Sequence, residues 1–406
     1  MNTLRLYYFF VFAMYAVIVP QFQLFLAALG YSPREVGLLL GFFEIFGVAG
    51  PIVFGAIADR TGRFRELKIA GTMSAGVAFA VLLLDMPLLP ALFVSGIAGF
   101  LFKTSVPLTD AVAGTVLQDP QDQYGKVRVM GSIGFGVTSL AIPLLGIINP
   151  DSAPSMLIAF LVSLIVFSTV VLVVPPPVPQ SAPAPVLAYH ETPAAPDAAV
   201  PAVPADPADT ASPTTAAPPS IPRSVWAVIG VVAVGNVAFG AYNSFFSLYL
   251  RNTLAVEAVT VYWAIGALSE IPIIFFSGRL IRRFGTGPLM TAAGIAMALR
   301  LVAYALKPAL PVVAVIQLLH ALTFGLMLSA GIAYVNTVAP PARRATALTA
   351  FNALGMGLAV FTGSVIGGYL IEAVGFTAMF GILSVFPAAG AVLMFRLTRR
   401  DPYLRR

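Results

Sequence analysis

The feature that most constrains this chain is its series of long apolar runs. About twelve stretches rich in apolar residues follow one another, at about 4–29, 35–57, 69–86, 89–114, 127–148, 154–174, 224–250, 257–281, 288–306, 310–338, 345–372 and 376–397. A run of roughly 20 residues is what a helix needs to cross the apolar core of a bilayer. The period-two alternation of a membrane β-barrel is absent. We therefore predict an all-α membrane protein with twelve transmembrane helices.

Composition supports this class and argues against others. Hydrophobic residues make up 59% of the chain and charged residues only 10%. This composition is more apolar than that of a typical water-soluble domain. The sequence contains no cysteine, so disulfides and thiolate chemistry are excluded. No nucleotide-cradling glycine loop and no nucleophile–His–acid set is visible. We expect neither an enzyme nor a cofactor or metal site.

A proline-rich segment divides the runs into two sets of six. Residues 175–222 contain fifteen prolines among Ala, Thr, Asp and Ser. Such a segment lacks the apolar side chains needed to fold, so we expect a disordered linker. The predicted organisation is a six-helix bundle at 1–174, the linker at 175–222, a second six-helix bundle at 223–398 and a tail at 399–406.

The basic residues are distributed unevenly between the two sides of the predicted membrane. Seventeen of the 23 Lys and Arg residues fall on the side that carries both termini. Cytoplasmic loops carry such an excess, so we expect both termini, the linker and the tail to be cytoplasmic in a multi-pass cell (inner) membrane protein. This asymmetry and anionic membrane lipid account for the net charge of +6, and no nucleic-acid partner is expected.

Several ionisable residues lie inside the apolar runs, where a charge is costly and normally faces a wet cavity or a partner. They are Glu44, Lys103, Asp110, Arg128, Glu270, Arg300 and His320. A polar reversal at 117–125 brings Asp110 and Arg128 toward one low-dielectric space. The pair is interpreted either as a solute-binding or proton-coupling site, or as a structural ion pair that locks two helices together.

Three of the other ionisable residues also have two interpretations. Glu44, near the middle of its run, either changes protonation with solute or hydrogen-bonds a backbone group. Lys103 precedes Asp110 by seven residues on the same helical face, so neutralisation of Asp110 by Lys103 competes with the pairing to Arg128. His320 either titrates or is a neutral structural histidine.

Polar and aromatic side chains indicate what a cavity could hold. Asn236 and Asn243 share one face of the seventh run, with Tyr242 on the adjoining stripe, and we expect them to bind solute. Aromatic faces with amide groups suit sugar rings, nucleosides or aromatic acids. Tyr7 and Tyr8 on the first run either contribute to this cavity or lie at the membrane surface, facing the headgroups or lipid.

A loop motif occurs after the second run and recurs after the eighth. The first copy contains Gly55, Asp59, Arg60, Gly62 and Arg63; the second has Gly278, Arg282, Arg283 and Gly285, with Arg282 in place of the acid. The glycines allow a tight turn, and Asp59 can form charge-assisted bonds or cap a helix. This GxxxDRxGR loop resembles the gating signature of the major facilitator superfamily, which implies two six-helix bundles.

Further segments resemble the phenylpropionate permease branch of that superfamily, which is related to the lactose permease. They are VPLTDA at 106–111, YGKVR at 124–128, WAIGALSEI at 263–271 and QLLH at 317–320. By this resemblance Asp110 and Arg128 would contact solute, Glu270 would bind solute or link it to protonation, and Arg300 and His320 would join the coupling cluster. Thr323 departs from the pattern, because the lactose permease has a proton-carrying Glu there.

These observations predict a secondary active transporter for a small organic solute of the sugar or aromatic-acid class. We expect alternating access with proton symport, with the proton on Glu270, Asp110 or Glu44, in a monomer. Alternatives are a uniporter and a drug/proton antiporter, although the fifth run lacks the Gly-Pro signature of such exporters. A non-transporting receptor or assembly factor of the same fold is the alternative from another class.

Overall fold

The computed structural model describes residues 1–117, 120–174 and 220–405, so most of the predicted linker lies outside the described residues. The described chain forms twelve membrane-length helices. They are α1 (Asn2–Ala28), α2 (Pro33–Thr61), α3 (Phe64–Val81), α4 (Leu88–Val116), α5 (Pro120–Leu145), α6 (Ala153–Val173), α7 (Arg223–Leu254), α8 (Val259–Phe284), α9 (Thr286–Ala305), α10 (Leu310–Val338), α11 (344–374) and α12 (376–400).

Length and apolar composition alone identify ten candidate spans within the described residues. One of these, Pro341–Arg400, turns at Gly375 (φ 82°) and therefore contains both α11 and α12. The helix α3 is not among the ten because Arg65, Glu66 and Lys68 lie in its first turns. The predicted twelve-helix architecture is confirmed.

Local signals in the sequence set the helix ends. Ser32 and Glu35 form a reciprocal capping box at the start of α2, with Pro33 in the first helical position. Gly62 (φ 68°) ends α2, and Gly285 (φ 81°) separates α8 from α9. A left-handed backbone favours glycine, so the tight turns expected from the repeated loop motif are confirmed.

The two halves, α1–α6 and α7–α12, use the same helix pairing. In the first half α1 packs on α5, α2 on α4 and α3 on α6; in the second half α7 packs on α11, α8 on α10 and α9 on α12. Glycines permit the closest approaches: a Cβ at Gly50 would collide with the Phe100 carbonyl, and one at Gly363 with the Val237 carbonyl. The halves meet through α2 against α11 and α5 against α8, which are equivalent contacts under a twofold exchange.

The contacts between the halves lie mainly at one end of the bundle. We call the end with the chain termini and the α2–α3 loop the terminal end, and the end with the α1–α2 loop the far end. At the far end Gly37 lies against Gly368, the Gln23 side chain bonds to the backbone of α7, and Arg251 pairs with Asp151 at 2.5 Å.

The apolar cores show the same difference between the ends. One apolar cluster runs through both halves and includes Phe22, Phe25, Phe245 and Phe246 near the far end, together with Tyr7 and Val171 in the first half. Toward the terminal end each half has its own cluster, which includes Leu4, Tyr8 and Val127 in the first half and Val225, Ile229 and Leu404 in the second. The apolar contacts that join the halves are therefore concentrated toward the far end.

Candidate functional site

The first candidate cluster surrounds Asp110 on α4. Its Oδ1 accepts hydrogen bonds from the hydroxyl of Tyr8 at 2.5 Å and from that of Tyr124 at 3.1 Å. Tyr8 is fully buried, so it does not face lipid, and its hydroxyl lies in the Asp110 cluster. The α1–α5 packing places this tyrosine inside the first half, where its hydroxyl needs a buried acceptor.

Arg128 on α5 lies beside this carboxylate without a direct ion pair to it. Its guanidinium carbon is 4.0 Å from the ring centroid of Phe12 and 5.8 Å from that of Tyr8. No described residue accepts a hydrogen bond from this guanidinium, which is only half-buried. Asp110 and Arg128 are thus brought into one cluster, as expected, with Tyr8 between them, and Arg128 retains its hydrogen-bonding capacity.

Lys68 is a member of this cluster that the sequence reasoning missed. Its position in the basic stretch after the α2–α3 loop suggested a surface charge, but the side chain is 1% exposed within α3. Its Nζ lies 4.5 Å from the ring centroid of Tyr7 and has no hydrogen-bond acceptor among the described residues. Tyr7 is also buried, which excludes the lipid-facing alternative for it as well, and its hydroxyl donates to the Val174 carbonyl at the end of α6. Asp110 is near enough to interact electrostatically with Lys68.

Glu44 on α2 forms an ion pair with Lys103 on α4. The sequence reasoning paired Lys103 with Asp110 as one alternative, and the structure does not support that pairing. The helix is interrupted by a turn at Lys103 and Thr104, so the seven-residue spacing no longer keeps Lys103 on the face of Asp110. The lysine stem passes over Gly47 to reach Glu44 instead.

The second cluster is a chain of three side chains in the second half. Glu270 Oε1 on α8 lies 3.0 Å from His320 Nε2 on α10, and His320 Nδ1 lies 3.3 Å from the guanidinium of Arg300 on α9. Arginine can only donate, so Nδ1 is the acceptor and the Nε2 hydrogen is the one directed at the carboxylate. This assigns a neutral histidine between an acid and a base. The side chains of Glu270 and His320 are 13% and 15% exposed.

Gln317 holds the arginine in place. Its Oε1 accepts from Arg300 at 2.6 Å, from Tyr304 at 3.0 Å and from Tyr242 at 3.1 Å. Arg300 is completely buried, donates also to Thr323 Oγ1 at 2.8 Å and lies 4.5 Å from the ring centroid of Tyr242. Thr323, at the position of the missing glutamate, therefore acts as an acceptor for Arg300.

Two of these residues, Gln317 and Tyr304, were not among the predicted site residues. The signal for Gln317 is its position three residues before His320, which places both on one face of a helix. Tyr304 has the corresponding position one turn after Arg300. Because its hydroxyl bonds to Gln317, Tyr242 is the one of the three residues predicted on α7 that lies in the Glu270–His320–Arg300 cluster.

The two asparagines of α7 have other surroundings. Asn236 is buried and its amide donates to the Gly355 carbonyl at 2.8 Å and to Met356 Sδ at 2.9 Å. This carbonyl belongs to Phe351–Leu358, a π-helical segment of α11. The backbone hydrogen bonds of such a segment are shifted from the α-helical pattern, and the Asn236 amide adds a further bond to it. Asn243 is half-buried, and its main-chain carbonyl accepts from Gln23 at 3.2 Å. Asn236 is thus engaged in helix packing.

Both halves carry an acid–base pair between their second and fourth helices. Glu44 and Lys103 join α2 to α4, as Glu270 and His320 join α8 to α10. The fourth helix is irregular near the base in each case: α4 is interrupted at Lys103, and α10 becomes π-helical at Ala321–Leu326 directly after His320. Such segments are frequent at functional sites. No described hydrogen bond or ion pair joins the Asp110 cluster to the Glu270 cluster.

The loop motif lies at the terminal end of α2. Gly55 is half-buried with no neighbour near its Cα, while Asp59, Arg60 and Arg63 are exposed. Asp59 forms no ion pair with a described residue. The acid is therefore not engaged as a latch in this conformation.

The chain is similar to known transporters over almost its full length. A family model described as "MFS_1 like family" matches residues 1–382. The maltose permease of Geobacillus stearothermophilus is 25% identical over 98% of this chain and 94% of its own length. A probable 3-phenylpropionic acid transporter of Escherichia coli is 24% identical over 92% and 91%.

Solved structures show the same fold. The crystal structure of the nucleoside transporter NupG superposes with a TM-score of 0.73 at 16% identity, covering 98% of this chain and 99% of that one. The resemblance inferred from the loop motif and the charged helices is confirmed. The chain belongs to the MFS_1-like family and is a multi-pass membrane transporter of the major facilitator fold.

Proposed function

We propose that this protein is a proton symporter that moves a small organic solute, of the sugar or aromatic-acid class, by alternating access. The observation that carries the proposal is the Glu270–His320–Arg300 chain, a partly exposed carboxylate on a neutral histidine in front of a buried arginine. It lies in the opposite half from Asp110 and Arg128. Acids and bases from both halves of such a bundle are typical of a transport site.

Arg128 and Asp110 form the solute-binding part of this proposal. The guanidinium is half-buried and has no described acceptor, so its planar N–H groups are available to solute oxygens. Asp110 is oriented by two phenol hydroxyls, which fix the carboxylate while leaving it near Arg128. Tyr242 anchors the second half of the site through Gln317.

Glu270 is the proposed proton carrier. Glu44 forms an ion pair with Lys103, and Asp110 accepts hydrogen bonds from Tyr8 and Tyr124 beside Arg128, so protonating either carboxylate would weaken these interactions. Glu270 is held by a neutral imidazole. A proton can therefore bind to the Glu270 carboxylate without breaking a direct ion pair. In this proposal Glu270 carries the proton that a glutamate at position 323 would otherwise carry.

Alternating access is supported by the difference between the two ends of the bundle. We propose that the terminal end, which carries most basic loop residues, faces the cytoplasm across the inner membrane, so that the structure corresponds to a cytoplasm-open state. The bundles 1–174 and 223–398, joined by 175–222 and followed by the tail 399–406, would rock about the α2–α11 and α5–α8 contacts in a monomer. Leu404 of the tail is buried in the second half.

Uptake into proteoliposomes tests this function. Maltose and 3-phenylpropionate are the first radiolabelled probes, measured with and without an inwardly directed proton gradient. The wild-type protein should accumulate solute only with the gradient. Glu270→Gln should abolish accumulation while preserving exchange between labelled and unlabelled solute, because exchange requires no net proton movement.

Substitutions of the other carboxylates are compared with Glu270→Gln. Glu44→Gln and the exposed control Glu372→Gln should keep gradient-driven accumulation, whereas Asp110→Asn should weaken solute binding. Gradient-independent uptake by the wild type and all variants would contradict symport and support uniport. Absence of flux for every solute in a folded protein would contradict transport itself.

A further inference from the structure

The cluster around Asp110 contains more positive than negative charge. Two cations, Arg128 and Lys68, accompany this one carboxylate, and no ion pair within 4.0 Å joins either of them to it. Each cation lies instead over an aromatic ring, Arg128 at 4.0 Å from the Phe12 centroid and Lys68 at 4.5 Å from the Tyr7 centroid. The cluster therefore has a surplus of one positive charge when both bases are protonated.

The other two acids predicted inside the apolar runs do not supply a second anion. Glu44 is engaged with Lys103, and Glu270 belongs to the His320–Arg300 chain in the other half. An uncompensated cation in apolar surroundings is costly, and an aromatic ring offsets only part of that cost. The buried Lys68 Nζ has no hydrogen-bond acceptor among the described residues, so a bound anion nearby would stabilise its charged form.

We infer that the transported solute is an aromatic carboxylate, which binds Arg128 through its carboxylate group while Lys68 balances the charge of Asp110. This inference rests on the proposed function and specifies its solute. With the solute bound, two acids and two bases occupy the cluster and its charge is balanced. A neutral sugar would leave the surplus charge in place.

The surroundings of Arg128 also fit an aromatic acid. The guanidinium presents paired N–H groups that match a carboxylate in a bidentate arrangement. Phe12 lies directly beneath it, Tyr15 is next to Phe12 at 5.8 Å between ring centroids, and Phe102 stacks on Tyr15 at 4.4 Å. The half-buried rings of Phe12 and Tyr15, backed by the buried Phe102, give an aryl group an apolar surface close to the cation.

In this arrangement Lys68 determines specificity by its charge and need not touch the solute. Lys68→Met preserves the length of the side chain and removes the charge, so a bound carboxylate would then give the cluster a surplus negative charge. Adding Asp110→Asn to Lys68→Met removes one charge of each sign and restores the balance. A purely structural role of Lys68 would not produce such a rescue.

Binding to the purified full-length protein, measured by calorimetry, tests the inference. The probes are 3-phenylpropionate, its neutral analogue 3-phenylpropanamide, and maltose. The wild type should bind the acid at least about tenfold more tightly than the amide. Lys68→Met should lose at least about tenfold in affinity for the acid with little change for the amide, and the double variant with Asp110→Asn should recover most of that loss. Arg5→Met, which removes an exposed cation at the same end of the first half, should behave as the wild type.

The outcomes separate this inference from the proposed function. Equal affinity for acid and amide, unchanged acid binding in Lys68→Met, or no recovery in the double variant would overturn the inference. Proton-driven accumulation of maltose without binding of the acid would also overturn it and leave the proposed function standing. Failure of the wild type to transport any solute would overturn the proposed function itself.

Discussion

Two adjacent tyrosines at the start of α1 show that the hydrogen-bond partner of a hydroxyl group determines what that group contributes to the protein. Tyr7 and Tyr8 are both buried, but Tyr7 donates to the backbone carbonyl of Val174 whereas Tyr8 donates to the carboxylate of Asp110. A hydrogen bond to a charged group is stronger than one between neutral groups. The two hydroxyls are therefore expected to matter for different properties.

Replacing Tyr8 with phenylalanine should impair solute binding. The change leaves Tyr124 as the one described donor to Asp110, so the carboxylate is less firmly oriented beside Arg128. We expect a roughly tenfold rise in KM for uptake, because a hydrogen bond to a charged group contributes about 1.5–3 kcal/mol. Tyr7→Phe is the matched control and should lower the melting temperature without changing KM. Equal KM values for the two variants would contradict the assignment.

Gln317 is the residue on which the burial of Arg300 depends most. Gln317→Leu removes the acceptor shared by Arg300, Tyr242 and Tyr304, and each buried donor left unpaired costs about 1–3 kcal/mol. We expect a large fall in melting temperature in detergent. Gln317→Glu keeps an acceptor of the same shape and should unfold at a higher temperature than Gln317→Leu. The reverse order would show that Gln317 does not act as this acceptor.

Within the candidate site, the sequence reasoning identified charges more reliably than their partners. A charge inside an apolar run is visible in the sequence, and Asp110, Arg128, Glu270, Arg300 and His320 were found in this way. Partners depend on helix rotation, which a single irregular turn can change, as the interruption at Lys103 shows. Lys68 was missed because a helix that begins with several charged residues resembles a loop in hydropathy.

At the scale of elements, irregular helix segments have specific packing partners. The π-helical segment of α11, Phe351–Leu358, leaves backbone groups without their usual partners, and Asn236 on α7 bonds to the Gly355 carbonyl. A π-segment has no periodicity signal in the sequence, since its composition is that of any apolar helix. The predicted solute-binding role of Asn236 could not be separated from this packing role by residue type alone.

Asn236→Leu distinguishes these two roles. If the amide serves helix packing, its loss should cost roughly 1 kcal/mol, the size of an interhelical hydrogen bond in a membrane protein, and lower the melting temperature slightly. The KM for uptake should stay within about twofold of the wild-type value. Asn243→Leu is the matched comparison on the same helix. A much larger rise in KM for Asn236→Leu would restore the solute-binding interpretation.

At the scale of the whole molecule, the helix count and the two halves followed directly from hydropathy and from the repeated loop. The angle between the halves did not, because it depends on close contacts between particular residues. The most sensitive of these is at the far end, where Gly37 on α2 lies against the Ser364 carbonyl and Gly368 of α11. A Cβ has no room at that point without a shift of the helices.

Gly37→Ala should therefore weaken the closure of the far end. The absence of cysteine allows spin labels at Ala28 and Asn252, one in each half at the far end, and in a second sample at Arg60 and Arg283 at the terminal end. We expect the population with a longer far-end distance and a shorter terminal-end distance to increase. Gly230→Ala, where the added methyl group meets no neighbour, is the control. Identical distance distributions in both variants would contradict the closure model.

The matching acid–base pairs of the two halves have a consequence for how the protein divides its tasks. One pair joins its carboxylate to a lysine amine, which can only donate hydrogen bonds when charged, and the other joins its carboxylate to an imidazole, which has two ring nitrogens. Among the described residues, the second pair continues through the imidazole to Arg300 on a third helix, whereas the first pair ends at the lysine. A shift of one helix is therefore passed to two others in the second bundle and to one in the first.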